Sequence, residues 1–317
     1  MVESFQGLAV IATSRGDLAQ AERLNRQALQ IHRERLGGRH PGTLRCERNL
    51  AQTLIERGQL ADAEGLLRHA LAVQREIFPR ADPEVAETAS ALGRLRFYLG
   101  DYAEAEALNR EALALYRAIS GETHTNTAAA LSVLGAVLHS QGTVEALKEA
   151  EQSYLAALSI QRAIYGEQHI AVATDLGSLA RVRSSQGRHD EALAGARQSL
   201  EIERRLLRAD DPGMAWPLRT LGIVLLEAHR PSDAEPYLRQ SLGLLRKMRP
   251  PGDFQTARVE VLLGACLAEL GRYAEAEPLL QQGTRGLEEQ LPAGHKLVRE
   301  ARDQIAFFQK ARAVQSR

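Results

Sequence analysis

The chain has 317 residues, which is enough for two ordinary domains or for one long array of repeats. Lys plus Arg and Asp plus Glu number 40 each, so the formal net charge is zero, which excludes a broad electrostatic field for nucleic acid or for an anionic membrane. Ala, Leu, Glu, Arg and Gln are abundant and aromatic residues make up only 4%, so we expect an all-α protein.

The two cysteines and the hydropathy pattern indicate in which cellular compartment the protein is expected. Cys46 and Cys266 show no metal-ligand spacing, so the sequence predicts two buried thiols and no disulfide framework. There is no run of 18 apolar residues, and residues 1–18 lack the basic region that is typical of a signal peptide. We therefore expect a cytoplasmic protein that does not enter a membrane.

A nine-residue segment, here called the joint motif, recurs along the chain. Its copies include GDLAQAERL from Gly16, GQLADAEGL from Gly58, GDYAEAEAL from Gly100 and GRYAEAEPL from Gly271. Each copy contains an alanine, the joint alanine, and these recur in steps of 42 with one step of 45, at Ala21, Ala63, Ala105, Ala150, Ala192, Ala234 and Ala276. A fixed period over seven copies indicates a repeat protein.

Each period predicts two helices. The first, the A helix, carries a leucine followed by Ala or Gly, and it ends at the glycine of the joint motif, where His229 replaces Gly once. The second, the B helix, starts within the motif, and its alanines let the two helix axes approach closely. The repeat leucines are Leu8, Leu50, Leu92, Leu134, Leu179, Leu221 and Leu263. We expect the recurring Glu residues on solvated faces. The recurring leucines of the B helices are expected to fill the core between layers: Leu29, Leu71, Leu113, Leu158, Leu200 and Leu242.

The predicted repeats follow one another from end to end. Their bounds are approximately 1–37, 38–79, 80–121, 122–166, 167–208, 209–250 and 251–292, and a capping helix with a tail occupies 293–317. Three extra residues in the fourth repeat are expected either to lengthen its B helix or to bulge its turn. Four histidines occupy one phase of the linker, where each is expected to bond backbone near the start of an A helix: His40, His124, His169 and His295.

The pattern of Leu and a small residue, then a turn Gly, then two alanines seven residues apart resembles the tetratricopeptide repeat (TPR). The 42-residue period and the linker "LGGRHPGT" are similar to the kinesin light chain subclass. The resemblance implies a right-handed superhelical solenoid of about seven helix-turn-helix repeats whose A helices line a concave face. It also implies groove Asn residues that hold peptide backbone, and Asn49 alone matches them. The residues of the chaperone carboxylate clamp do not match.

Candidate binding positions are those A-helix positions that differ between copies. With the repeat leucine numbered seven, positions two, five, six, nine, twelve and thirteen are expected to face the groove. The candidates are Arg45, Arg48, Asn49, Gln52, Arg94, Phe97, Tyr98, His139, Arg181, Arg219 and Ile223. The guanidinium groups suit carboxylates and the aromatic rings suit anchors, whereas the alternative is that exposed positions simply drift. Trp216 is either a further anchor or a packing residue before Pro217.

Motifs for catalysis, metal binding or phosphate binding are missing from the sequence, so we expect no enzyme activity, no metal and no cofactor. Interspersed charges and few aromatic residues also argue against nucleic-acid binding. The hypothesis is a non-enzymatic scaffold that binds a protein or peptide, extended or helical, on its concave face.

Two alternatives stay open. One is a regulatory segment of a larger signalling protein, such as a bacterial serine/threonine kinase or a transcriptional regulator. The first A helix begins almost at Met1 without a cap, which is consistent with a fragment or with the continuation of an upstream domain. The other is self-association through that helix or through IAFFQ at 305–309.

Overall fold

The computed structural model describes residues 2–14, 17–78, 80–248 and 252–315. Within these ranges the backbone forms fifteen α-helices and no β-strand, which confirms the all-α prediction. The helices are α1 (Val2–Ser14), α2 (Leu18–Leu36), α3 (Pro41–Glu56), α4 (Leu60–Ile77), α5 (Pro83–Tyr98), α6 (Tyr102–Ser120), α7 (Thr125–Gln141), α8 (Val144–Tyr165), α9 (Ile170–Ser185), α10 (His189–Leu206), α11 (Ala215–Glu227), α12 (Pro231–Met248), α13 (Phe254–Glu269), α14 (Tyr273–Gln290) and α15 (Lys296–Gln315). A 3-10 turn, Pro212–Met214, leads into α11.

These helices form two compact units, Met1–Val133 and Leu134–Arg317, and the boundary lies within α7. The odd-numbered helices α1 to α13 are the predicted A helices, and the even-numbered helices α2 to α14 are the predicted B helices. Within each unit an A helix packs against its own B helix, as α5 does on α6 and α13 on α14. B helices also contact the A helix that follows, as α2 does on α3 and α12 on α13.

The turns between A and B helices have the predicted left-handed backbone. Glycines at these turns have φ between 74° and 81°: Gly58, Gly100, Gly142, Gly187 and Gly271. His229 adopts φ 56° at the same place in the sixth repeat, so this non-glycine residue takes up the strained conformation that the joint requires. The remaining predicted turn residue, Gly16, lies outside the described residues.

The linker histidines cap the A helices, as predicted. In each case Nδ1 accepts a backbone N–H two residues further on: His40 from Gly42 (3.1 Å), His124 from Asn126 (3.1 Å), His169 from Ala171 (3.2 Å) and His295 from Leu297 (3.2 Å). Aspartates do the same at this phase in other repeats, as Asp82 does for the Glu84 N–H at 2.8 Å. The recurring histidine is therefore a helix cap.

Small residues let the paired helices approach, which confirms the packing prediction. All seven joint alanines are fully buried. On the facing A helix, a Cβ added at Gly222 would lie 2.6 Å from Leu238 Cδ2, and one added at Gly264 would lie 2.7 Å from Leu280 Cγ. A larger side chain at either glycine would wedge the two helices apart.

Leu8 differs from the other repeat leucines. Leu50, Leu92, Leu179 and Leu221 are buried, but Leu8 is 51% exposed. The leucines of the B helices that were predicted to fill the core are all buried: Leu29, Leu71, Leu113, Leu158, Leu200 and Leu242. The exposure of Leu8 has a local reason, because α1 packs on α2 and has no preceding B helix within the described residues. Leu8, with Val10 and Ile11, forms an exposed apolar face on α1.

Recurring Glu residues at the start of B helices are not simply solvated, and that expectation was wrong. Glu151 accepts from Arg183 at 3.1 Å and from Arg188 at 2.8 Å, and both arginines belong to the next repeat. Glu235 in the same way accepts from Arg272 of the next repeat at 2.6 Å. The repeat period places each carboxylate where an arginine of the following turn can reach it, so these Glu residues join successive repeats.

The fourth repeat takes up its insertion within the B helix. Helix α8 has 22 residues, whereas α6 has 19 and α10 has 18, which confirms the first of the two predicted outcomes. At the other end, α15 packs on α14 and α13 and buries Val298, Ala301 and Phe308. In the described ranges, every helix is too short or too polar to cross a bilayer.

Candidate ligand-binding face of the A helices

The predicted binding residues divide between the two units. Arg45, Arg48, Asn49, Gln52, Arg94, Phe97 and Tyr98 lie on α3 and α5 of the first unit, and His139, Arg181, Arg219 and Ile223 lie on α7, α9 and α11 of the second. Arg45 and Arg94 are exposed, Arg219 and Ile223 are each 7% exposed, and the others are half-buried. The position of a residue within its repeat therefore does not by itself determine how exposed its side chain is.

In the first unit the chain's own carboxylates bind Arg48. Its Nη1 lies 2.7 Å from Glu84 Oε2 and its Nη2 lies 2.6 Å from Glu87 Oε2, and both acids belong to the next A helix, α5. The side chain of Arg48 is 13% exposed, so these charge-assisted bonds occupy a partly desolvated site. Arg45 adds a longer contact to Glu84, at 3.8 Å. The carboxylates of Glu84 and Glu87 therefore already neutralise the positive charge of Arg48.

The other polar candidates of the first unit are bonded to neighbours too. Arg94 donates to the side-chain oxygen of Gln52, one repeat earlier. Gln52 in turn donates to Glu56 Oε1 at 3.1 Å. Asn49 is half-buried, and its backbone oxygen accepts the Thr53 hydroxyl at 3.3 Å. The structure thus brings Gln52 and Arg94 together as a pair across two A helices.

Aromatic side chains cluster at the end of α5. The ring centroids of Phe97 and Tyr98 lie 6.0 Å apart, and those of Phe97 and Tyr102 lie 5.8 Å apart. All three residues are half-buried, so the cluster presents apolar surface while its rings support one another. It is the one aromatic patch that the predicted site residues form within the described residues of the first unit.

The second unit contains a buried arginine that pairs with no carboxylate among the described residues. Arg219 Nη1 donates to Gln255 Oε1 on α13 at 2.5 Å. Burial, and after it the positive charge of Arg181, lowers the pKa of Arg219 to about 10. Burying a cation without an anionic partner lowers the stability of the fold. Arg219 differs in this from Arg48, which has two carboxylate partners.

Arg181 lies beside this buried arginine. Its Nε atom is buried and makes no hydrogen bond to any described residue, and no described carboxylate forms an ion pair with its guanidinium. Arg181 and Asp175 also lie close enough to Tyr154 to shift its pKa in opposite directions, although burial is the largest cause of the upward shift. Asp175 is a buried acid of this region, and it is absent from the groups that shift the pKa of Arg219.

His139 faces the same positive charges from α7. Burial, followed by the charges of Arg181, Lys296 and Arg258, lowers its pKa to about 2, so the ring is neutral at physiological pH. Its Nε2 lies 3.0 Å from Ser185 Oγ, whereas the adjacent Ser140 donates to a backbone oxygen of its own helix. We call His139, Arg181, Arg219, Arg258 and Lys296 the basic cluster.

Members of the basic cluster follow a regular step. They occupy repeat position twelve on α7, nine on α9, five on α11 and two on α13. Lys296 on α15 continues the series, because it lies four residues before the position that follows Arg258 by one 42-residue period. Three or four residues make one helical turn, so each successive A helix presents its basic residue one turn nearer its own N-terminus. The selected candidates did not include Arg258 and Lys296, although this step could have identified them.

The apolar candidates of the second unit serve packing. Ile223 is buried, so it contributes to the core and not to an open surface. Trp216 lies with its ring over Gly177 of α9, where an added Cβ would clash with it. The second of the two alternatives for Trp216, a packing role, is the one that the structure supports.

Three comparisons place the fold among known proteins. A family model described as tetratricopeptide repeat matches residues 2–76, 84–146, 144–202 and 184–247, and a second model with that description matches 253–282. The chain belongs to the tetratricopeptide repeat family. No curated protein matches it in sequence. The family resemblance predicted from the joint motif is therefore confirmed.

Solved structures show the same fold. The chain is 22% identical to kinesin light chain nearly identical TPR-like repeats from Podosopora anserina, covering 67% of this chain and 99% of that one, with a TM-score of 0.53. It is 14% identical to a Rap protein complexed with competence and sporulation factor, covering 99% and 89%, with a TM-score of 0.67. NprR in complex with its cognate peptide NprX is 15% identical, covering 91% and 80%, with a TM-score of 0.61.

Proposed function

We propose that this TPR protein is a non-enzymatic scaffold that binds a peptide or a helical segment of a partner on the face formed by its A helices. One observation carries the proposal. Charged groups of the B helices bond to one another across repeats, as Arg68 does with Glu104 and Arg239 with Glu275. Arg181 and Arg219 on the A helices of the second unit instead lack a carboxylate partner among the described residues. Buried polar groups are normally satisfied, so an arginine left in this state suits an external ligand.

The solved neighbours support a peptide as the ligand. The Rap structure and the NprR structure were each determined with a bound factor or peptide, and both extend over most of this chain. We also propose that the chain falls in the kinesin light chain-like subclass, because its period is 42 residues and it shares its fold with kinesin light chain-like repeats. TPR architecture and the missing catalytic motifs support a role without catalysis.

The test is charge reversal on the A helices. A peptide captured from a soluble library by the full chain should bind the Arg181→Glu and Arg94→Glu variants more weakly, as titration calorimetry would measure. Arg239→Glu on the B helix α12 is the matched control, because Arg239 already binds Glu235 and Glu275. Unchanged affinity in both A-helix variants would contradict this site assignment.

A regulatory segment of a larger signalling protein, such as a bacterial serine/threonine kinase or a transcriptional regulator, is the second candidate. The favouring observation is that one solved neighbour is the Rap conjugation gene regulator of plasmid pLS20, which has a TM-score of 0.67. The coding sequence around this chain tests the idea. A kinase or DNA-binding domain encoded in frame would support it, and a stop codon directly upstream and downstream would contradict it.

Three further expectations belong to the proposal. The protein acts in the cytoplasm, and it binds neither nucleic acid nor membrane. It also has a route to self-association, because α1 exposes Leu8, Val10 and Ile11 and α15 exposes Phe307. Light scattering over a dilution series tests that route, and a monomer mass at every concentration would rule it out.

A further inference from the structure

Helix α15 is the A helix of an eighth repeat by its register and its packing. It begins at Lys296, 42 residues after α13 begins at Phe254, and Ile305 with Ala306 occupies the phase of the repeat leucine and its small neighbour. Like α11 and α13, it packs on the B helix and on the A helix before it, here α14 and α13. Among the described residues, however, α15 has no B helix of its own.

A groove of about 480 Å³ lies between α14 and α15. Its lining residues on these two helices include Gln281, Thr284, Arg285, Ile305 and Ala306. In α13 the leucine and the small residue of the same phase, Leu263 and Gly264, are buried. In α15 Ile305 is half-buried and Ala306 is exposed, so the surface that α13 buries stays open to the groove.

One repeat earlier, the corresponding groove between α12 and α13 is filled by the B helix α14. A Cβ added at Gly264 of α13 would lie 2.7 Å from Leu280 Cγ of α14. Arg239 of α12 contacts Glu275 in the first turn of α14, with Nη2 and Oε2 2.9 Å apart. The α12 and α13 residues of these contacts each stand one 42-residue period before a lining residue of the α14–α15 groove. In this chain such a groove therefore holds a helix that carries an acid, then the joint alanine, then a leucine four residues after it.

The last B helix also differs from the others at the floor of the groove. Thr284 occupies the phase at which the first six B helices carry a core leucine, as Leu242 does in α12. Thr284 is 6% exposed, and its Oγ1 is buried without a hydrogen-bond partner among the described residues. Buried hydroxyl groups are normally satisfied, so this atom suits a ligand that reaches the floor. Arg285 beside it is exposed and forms no ion pair with a described residue.

We infer that the α14–α15 groove binds an amphipathic helix of a partner protein, in the place that α14 takes on α13. The partner helix carries a small residue against α15, a leucine four residues later over Ala306, and an acid that Gln281 and Arg285 can bond. The groove continues the packing interface of the array, which is why a helix with the B pattern fits it. The B helices of a second copy already pack on their own A helices, as α10 does on α9 and α12 on α11. A second copy would have to unfold a repeat to supply one.

The probe is a fluorescent peptide with the sequence of residues 58–77, which form α4 and the turn before it, held helical by a lactam bridge between the exposed positions 68 and 72. It carries the acid, the alanine and the leucine as Asp62, Ala63 and Leu67. Fluorescence anisotropy should show saturable binding to the full chain. The control peptide, with Ala63→Leu and Leu67→Ala, has the same composition but a bulky residue where two helix axes meet. It should bind at least about tenfold more weakly.

Two variants of α15 locate the binding. Ala306→Phe places a ring in the groove and should weaken binding of the probe at least about tenfold. Gln304→Phe introduces the same ring at an exposed position of α15 outside the groove lining and should leave the affinity unchanged. Circular dichroism confirms that both variants are folded. Absence of saturable binding, equal binding of the two peptides, or equal binding by Ala306→Phe and the wild-type chain would each overturn the inference.

A second copy and the A-helix face are the competing sites to exclude. A wild-type chain that is a dimer by light scattering, and that Ala306→Phe returns to a monomer, would assign the groove to a second copy and overturn the partner helix. Arg181→Glu on α9 lies outside the groove and should leave binding of the probe unchanged. Weaker binding by that variant would place the probe on the A-helix face and overturn the groove assignment. The inference goes beyond the proposed function, so it can fail while peptide binding on the A helices stands.

Discussion

Arg48 in the first unit and Arg219 in the second occupy the same place in their repeats, but their surroundings carry opposite charge. Each donates to a residue 36 positions later, Glu84 in one case and Gln255 in the other. The residue 39 positions later is Glu87 for Arg48 and Arg258 for Arg219. One arginine is therefore held between two carboxylates, whereas the other donates to a neutral amide and lies near the positive charge of Arg181.

The two arginines show how a TPR array can vary the charge on its A helices without varying its fold. The repeat fixes where position five points and which residues of the next A helix can reach it. The first turns of that next helix then decide whether the arginine is neutralised internally or stays available. Helix α5 neutralises Arg48, and helix α13 leaves Arg219 available.

Converting the first unit into the second should have the largest effect. Glu84→Gln with Glu87→Arg removes both partners of Arg48 and adds a like charge, so we expect the free energy of unfolding to fall by about 3 kcal/mol. Urea denaturation measures the change. Glu76→Gln, which breaks the largely exposed pair with Arg39, is the control and should cost under about 0.5 kcal/mol. Equal losses of stability in the double variant and in Glu76→Gln would show that the carboxylates around Arg48 stabilise the fold no more than an exposed ion pair does.

The B helices provide a second comparison, at the position eleven residues after the joint alanine. Gln74 occupies it in the second repeat and Glu203 in the fifth, and both are buried with oxygen atoms that have no partner among the described residues. Burial raises the pKa of Glu203 from 4.5 to about 7. The folded state therefore binds the proton more tightly than the unfolded state does.

The sign of the pH dependence follows from that shift. Below about pH 4.5 the carboxyl is protonated in both states and costs nothing, and stability is lost as pH rises towards 7, above which the full penalty applies. Glu203→Gln should raise the free energy of unfolding by about 2 kcal/mol at pH 8, because the buried amide offsets part of the gain. It should change little at pH 4. Urea titrations at the two pH values check this, and an equal gain at both would contradict the ionisation argument.

Much of the fold was predictable because packing repeats with the sequence. The period, the turn glycines and the joint alanines located every helix pair, and His229 could be recognised as a turn residue from its phase alone. The repeat pattern alone does not show that Leu8 is exposed, because burial at its position depends on a preceding B helix. The joining role of Glu151 and Glu235 was missed because it depends on arginines one repeat away.

The candidate site was less predictable for a related reason. Position numbers give the direction of a side chain from its own helix, but they do not say which residue of the next helix lies over it. Arg48 and Arg219 were therefore indistinguishable in the sequence, although the structure neutralises one and not the other. Lys296 was missed because α15 lacks the joint motif that fixes the phase elsewhere.

Replacing Arg48 or Arg219 by Gln should change the free energy of unfolding by smaller amounts and in opposite directions. Arg48→Gln leaves Glu84 and Glu87 facing each other and should cost about 1 kcal/mol. Arg219→Gln removes a buried cation that has no acid partner among the described residues, so the free energy of unfolding should stay the same or rise by up to about 1 kcal/mol. Thermal denaturation of both variants compares them directly. Destabilisation by Arg219→Gln as large as that by Arg48→Gln would show that Arg219 is a structural residue.

The smallest effect is expected where the two units are alike. Arg68 in the first unit and Arg239 in the second each bind two glutamates, Arg68 reaching Glu104 at 2.8 Å and Arg239 reaching Glu275 at 2.9 Å. Both guanidinium groups are close to half exposed, so each pair is screened by water and salt. Arg68→Gln and Arg239→Gln should each lower the free energy of unfolding by about 0.5 kcal/mol.

These two losses should match each other and shrink together in high salt, since the chemistry and the repeat position are the same. Urea denaturation at low and high salt provides the measurement. A markedly larger loss in one unit would mean that the units differ throughout in electrostatic environment. The contrast between Arg48 and Arg219 would then follow from that general difference, and the residues at the start of α5 and α13 would no longer be needed to explain it.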